Sequence, residues 1–167
     1  MSLIDDLGAR AFASRLRRIS EKLMSDAGRL YKESGVDFEP RTFAVIAVLQ
    51  RQDRASVTEI ADELGVTHAA ASQMVGALER KGWLKSAVDS KDRRRRWLAL
   101  SAKGRRQIAQ LEPIWEAIRL ATEEILEQVR GDLLASLGEL ETVVESQSLF
   151  DRASERLGLM PESRSPE

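Results

Sequence analysis

Residues 56–82 hold two helix starts and two helix stops in close succession, and this punctuation limits the fold more than any other stretch of the chain. Ser56 stands three residues before Glu59, the spacing at which each side chain satisfies an otherwise unpaired amide at a helix start. Gly65 ends that helix. Thr67 can cap a second one, whose inward positions would be Ala71, Met74, Val75 and Leu78, and Gly82 stops it. Only about three residues separate the two helices, the length of a tight angular turn. Beyond Gly82 the pattern changes. Residues 83–88 and 96–100 read as two short strands joined by a charged turn.

Charge is concentrated in the same region. Residues 80–106 carry eleven Lys or Arg against two acids, Asp89 and Asp92, a local net of +9, while the other 140 residues carry a net of −10. The chain as a whole is near neutral, at −1 with a pI of about 6.0. Segregation of this kind produces a local positive potential that attracts a polyanion. Nucleic acid is the first partner to consider.

The flanks are helical. Phe12, Leu16, Ile19, Leu23, Ala27 and Leu30 recur at three- and four-residue steps within a helix expected over residues 5–32. Gly35 and Pro40 bracket a break, and a helix over about residues 41–51 is apolar around most of its circumference, as a buried central helix would be. From Ser101 a long helix is expected, interrupted or entered afresh near Pro113, with Leu111, Ile114, Trp115, Ile118, Ile125 and Val129 on its apolar side. A last helix carries Leu133, Leu137, Leu140 and Val144, and Leu149 and Phe150 follow it. A small central domain cannot cover these stripes. A second copy of the chain, with first and last helices interleaved across a two-fold axis, is the expected solution.

Several function classes are disfavoured. The chain has no cysteine and one histidine, so disulfides, thiolate zinc sites and thiol redox sensing are excluded and a nitrogen-ligated metal has little support; no metal and no cofactor are expected. Together with the lack of a phosphate-binding glycine loop, this leaves no usual catalytic constellation. Asp5 and Asp6 fall where a signal peptide would be apolar, and the longest apolar run, residues 43–49, is far too short to span a bilayer. A cytoplasmic protein without membrane association is the expectation.

The combined pattern resembles the MarR family of winged helix-turn-helix regulators. The resemblance rests on Thr58-Glu-Ile-Ala-Asp-Glu-Leu-Gly65, on Leu78-Glu-Arg-Lys-Gly82, on Asp92-Arg-Arg94 with Arg94 seven residues before Ser101, and on Leu100-Ser-Ala-Lys-Gly104. It implies a mainly α fold with a β-hairpin wing: an amino-terminal dimerisation helix (residues 1–35), a winged DNA-binding domain (36–106), carboxy-terminal dimerisation helices (107–158) and a flexible tail (159–167). Leu111-Glu-Pro-Ile-Trp115 resembles a subgroup in which such a module can precede an acetyltransferase domain, for which the remaining residues leave no room.

The second helix of the pair would enter the major groove of double-stranded DNA, with Thr67, His68, Ala69, Ala70, Ser72 and Gln73 on its outward face or at its start. Gln73 is suited to bidentate pairing with adenine, Ser72 to a base or phosphate, and the alanine methyls to thymine methyl groups. Direct readout by this face is modest, so phosphate contacts and DNA shape are expected to carry more of the binding. By resemblance, Arg94 enters the minor groove, Asp92 orients the wing arginines, and Arg93, Arg95 and Arg96 serve phosphates or the fold. Strand alternation prevents Arg95 and Arg96 from facing the same way. The resemblance further implies a homodimeric regulator, more often a repressor, of a pseudo-palindromic operator. Release by a small aromatic or amphipathic ligand is implied too, with Phe12, Arg15, Phe43 and Trp115 as its candidate contacts. The competing reading is a winged module that binds DNA without sequence preference or grips an acidic protein. Trp83, Trp97 and Trp115 are expected as core or interface anchors, and Glu123, Glu124 and Glu127 as a solvated acidic face.

Overall fold

The computed structural model describes residues 3–88 and 96–159. Two compact units result, Met1–Ile118 and Arg119–Glu167. The first begins with a short helix α1 (Leu3–Asp6), a 3-10 turn (Gly8–Ala11) and the long α2 (Phe12–Glu33). The single amino-terminal helix expected over residues 5–32 is therefore broken, at Gly8, whose φ of 52° a helix cannot accommodate. Pro40 opens a 3-10 turn (Pro40–Thr42) that leads into α3 (Phe43–Gln52), and Val45, Ile46, Val48 and Leu49 make α3 the buried central helix.

α3 ends on Asp53, the one non-glycine residue with positive φ among those described (φ 59°, ψ −37°). The Arg54 amide donates to the Gln52 carbonyl across it, giving a tight turn of the strained γ type. The turn delivers Ala55 to Leu98, with which it exchanges two backbone hydrogen bonds of 3.0 and 2.9 Å. This third strand position was not foreseen, because one bridging residue has no alternation to read.

α4 (Val57–Leu64) and α5 (His68–Arg80) form the helix pair. Ser56 Oγ accepts from the Glu59 amide at 3.2 Å while Glu59 Oε2 accepts from the Ser56 amide at 2.8 Å, so the capping box is closed in both directions. Gly65 takes the left-handed conformation at the end of α4, and Thr67 Oγ1 accepts from the Ala70 amide at 3.2 Å to start α5. Ser56→Ala should lower stability by about 1 kcal/mol, measured as a lower urea midpoint at unchanged slope.

Strands β1 (Leu84–Val88) and β2 (Arg96–Leu100) pair antiparallel from Leu84↔Leu100 to Val88↔Arg96. Leu84, Leu98 and Leu100 are buried on the face turned to the helices. On the other face the Arg54 guanidinium lies 4.6 Å from the centre of the Trp97 ring. α6 (Ala102–Glu127) runs without a break through Pro113. A proline inside a helix loses one backbone bond and crowds the carbonyl four residues back, yet Leu111, Ile114, Trp115 and Ile118 pack against the core on both sides of it. Tertiary packing thus overrides the interruption that Pro113 suggests.

In the second unit, α7 (Leu133–Ser146) is capped by Asp132 and α8 (Leu149–Leu157) by a second capping box, Ser148 with Asp151. Leu149 and Phe150, expected only to follow the last helix, open α8, and Ser148 and Asp151 carry the spacing that marks its start. Glu123, Glu124 and Glu127 are exposed, and Arg119 pairs with Glu123 along the helix. No helix among the described residues is long and apolar enough to cross a membrane.

Candidate nucleic-acid interface

α5 is two-sided. Ala71, Val75, Ala77 and Leu78 are buried, and Met74 packs partly against the same core. On the other side His68, Ala69 and Gln73 are exposed, Ala70 and Ser72 are half-buried, and Thr67 is exposed at the cap. The 3.6-residue period produces this division, since positions 71, 75 and 78 share one face and 69 and 73 another. The amino end of α5 therefore presents short, uncharged side chains and an imidazole to solvent, with no bulky group to hold a duplex away.

The motif Leu78-Glu-Arg-Lys-Gly82 does four separate jobs. Leu78 is fully buried. Glu79 pairs with Arg96 at the start of β2. Lys81 Nζ donates to the Asp37 carbonyl at 2.7 Å and lies 2.8 Å from the Asp37 carboxylate, tying the end of α5 to the loop between α2 and α3. Gly82, at φ 71°, turns the chain so that Trp83 enters the core. Neither Glu79 nor Lys81 carries a local signal of these roles. Their partners lie 17 and 44 residues away, beyond any local pattern.

The wing is fastened to α6 by an equally compact arrangement. Ser101 Oγ donates to the Gly82 carbonyl at 2.7 Å and accepts from the Gly104 amide at 2.9 Å. The Ser101 amide donates to the Trp83 carbonyl at 2.8 Å, and Lys103 Nζ donates to the Lys81 carbonyl at 2.7 Å. Gly104 is buried against the same Trp83 carbonyl, and a Cβ there would lie 2.2 Å from the oxygen. Leu100-Ser-Ala-Lys-Gly104 is thus the joint between the hairpin and the helix that follows it.

Of the wing residues singled out, Arg96 is described, half-exposed and engaged by Glu79. Asp92, Arg93, Arg94 and Arg95 lie outside the described residues, as does nearly all of the tail. Arg80, Lys85, Lys103, Arg105 and Arg106 are exposed, so much of the cationic character of residues 80–106 faces solvent.

The candidate ligand contacts divide. Phe43 and Trp115 meet edge-to-face at 4.9 Å, within a cluster in which Phe38 also contacts Tyr31 at 4.9 Å, Trp83 at 5.6 Å and Trp115 at 5.9 Å. Phe12 is exposed at the start of α2, and Arg15 is half-buried along the same helix. Burial pushes the Tyr31 phenol up, with the nearby Trp115 indole N–H acting in the opposite sense. That indole N–H is buried without a well-formed hydrogen bond among the described residues. Phe38 and Tyr31, which centre the cluster, were not anticipated. Trp83 is the core anchor expected of it.

Comparison with known proteins agrees with this geometry. A model of the MarR family matches residues 36–95. The chain is 30% identical over 112 residues to the uncharacterized HTH-type transcriptional regulator YkoM of Bacillus subtilis strain 168, across 67% of this chain and 68% of that one. It is 25% identical over 143 residues to the transcriptional repressor MprA of Escherichia coli strain K12, across 78% and 80% of the two chains. Among solved structures, the transcriptional repressor CouR bound to a 23-mer DNA duplex matches with a TM-score of 0.63 at 25% identity, over 83% of this chain and 96% of that one.

Proposed function

Because the chain belongs to the MarR family of DNA-binding transcription regulators, which are not enzymes, we propose that it is a homodimeric, sequence-specific repressor of a pseudo-palindromic operator. The exposed face of α5 carries this reading. It sets Gln73, His68 and Ala69 outward on a helix whose opposite side is locked into the core, as a helix inserted in a major groove requires. The relatives MprA and CouR are repressors, and CouR is seen on duplex DNA.

A second copy of the chain supplies the missing cover for the apolar stripe of α2, where exposure runs from 37% at Leu30 to 56% at Ile19. Two copies place two recognition helices on half-sites about one helical turn apart. Wing arginines, Arg94 foremost, supply minor-groove and phosphate contacts. A small aromatic or amphipathic anion near Phe12, Arg15, Phe43 and Trp115 releases the DNA by favouring a spacing of the two helices that the operator does not fit, and it acts only as far as its preference for that spacing allows.

Gln73→Ala tests the reading. It should lose about 1–3 kcal/mol of discrimination between a selected duplex and a scrambled one while leaving binding to the scrambled duplex unchanged. Equal affinity of wild type for both duplexes, insensitive to the substitution, would favour the nonspecific module instead.

A further inference from the structure

We propose that the Glu79–Arg96 ion pair is a positioning device that holds the wing at a fixed angle to the recognition helix, and that Arg96 is not itself a phosphate ligand. The proposal rests on the DNA-binding reading above. Glu79 occupies the last turn of α5 (His68–Arg80), and Arg96 is the first residue of β2. The two side chains meet, at 27% and 51% exposure respectively. Arg96 shares strand parity with the buried Leu98 and Leu100, so its side chain leaves the hairpin on the face turned toward the helices.

Its place in the ladder gives the pair leverage. The hairpin is anchored at Leu84↔Leu100, where both side chains are buried, and Val88↔Arg96 is the outermost described rung. Between those two rungs Leu98 is buried and bridged to Ala55, while Lys85, Ser86 and Ala87 opposite are exposed, so the buried packing stops short of the Val88↔Arg96 rung. Among the described residues, Glu79–Arg96 is thus a charged tie from α5 to the outer end of the hairpin. A half-exposed ion pair adds little to global stability. Its effect belongs in the orientation of the outer end of the hairpin, at the Val88↔Arg96 rung. A guanidinium committed to a carboxylate is also largely neutralised, which removes the reason to count Arg96 among the charges that DNA phosphates attract.

The sign of one substitution separates the alternatives. Glu79→Gln makes the protein more positive. If Glu79 merely competes with phosphates for Arg96, DNA binding tightens; if the pair positions the wing, binding weakens, by about tenfold for a coupled pair of this kind. The probe is a fluorescein-labelled duplex that the wild-type protein selects from a random-sequence pool, titrated by anisotropy at several salt concentrations. Arg96→Ala should weaken binding to a similar extent with the salt slope unchanged, whereas loss of a true phosphate contact flattens the slope by about 0.9 for each protomer on the duplex. The charge swap Glu79→Arg with Arg96→Glu should recover most of the lost affinity, and a thermal melt of each single variant checks that it is folded. Tighter or unchanged binding by Glu79→Gln, a flattened slope for Arg96→Ala, or no recovery in the swap overturns the proposal. A wild-type protein that selects no duplex removes the DNA-binding reading and this proposal with it, a failure distinct from one in which wild type binds and the variants break the pattern.

Discussion

Gly104→Ala is expected to destabilise the protein by about 3 kcal/mol, the upper part of the range for overpacking a rigid contact. A methyl group at this position would sit 2.2 Å from the Trp83 carbonyl oxygen, and backbone cannot swing away as a flexible side chain would. That carbonyl is already held by the Ser101 amide, and Trp83 is stacked on Phe38 inside the core. Relief therefore requires α6 to move off the hairpin, opening the Ser101 bonds to Gly82 and Gly104. Gly138 in α7 provides the control, because a Cβ there meets nothing within 4 Å. Gly138→Ala should stabilise by about 0.5–1 kcal/mol through helix propensity and a less flexible unfolded chain. Urea denaturation at one protein concentration measures both. Similar midpoints for the two variants would mean that Gly104 does not define the joint.

In the proposed homodimer, removal of residues 119–167 should leave a monomer and weaken binding to the selected duplex by about a hundredfold. The buried cluster from Tyr31 to Leu111 lies wholly within Met1–Ile118, so the shortened chain keeps its core. The deleted unit contributes Leu134, Val143, Val144, Leu149, Phe150 and Leu157, all exposed, with Leu149 at 78% and Phe150 at 72%. Apolar groups so far from burial in one copy are the material of an interface. A monomeric module must bind each half-site alone and loses the effective concentration that a tethered partner supplies. Sedimentation velocity reports the mass, and a thermal melt checks the fold. A shortened chain that stays dimeric would assign the interface to the α2 stripe alone.

The features legible in the sequence are those fixed by neighbours along the chain. Ser56 with Glu59, Thr67 before α5, and the two strands after Gly82 each depend on residues a few positions apart. The exposure of His68, Ala69 and Gln73 follows from the same helical period that buries Ala71, Val75 and Leu78. What remained hidden is set by distant partners. Ala55 joins the sheet through Leu98, Lys81 is claimed by Asp37, and Glu79 by Arg96. Pro113 misled for the opposite reason: its local preference is real, but the packing of Leu111, Ile114 and Trp115 outweighs it. Ser148 and Asp151 mark α8 by a local capping signal of the same kind as Ser56 and Glu59.

The most direct test of the account is to incubate the purified protein with sheared genomic DNA from its source at moderate salt and sequence the retained fragments. A sequence-specific dimer enriches a shared inverted repeat with half-site centres about 10 base pairs apart. Retention of fragments with no common motif would contradict specific readout by α5 and leave a positively charged module that holds DNA by its backbone alone.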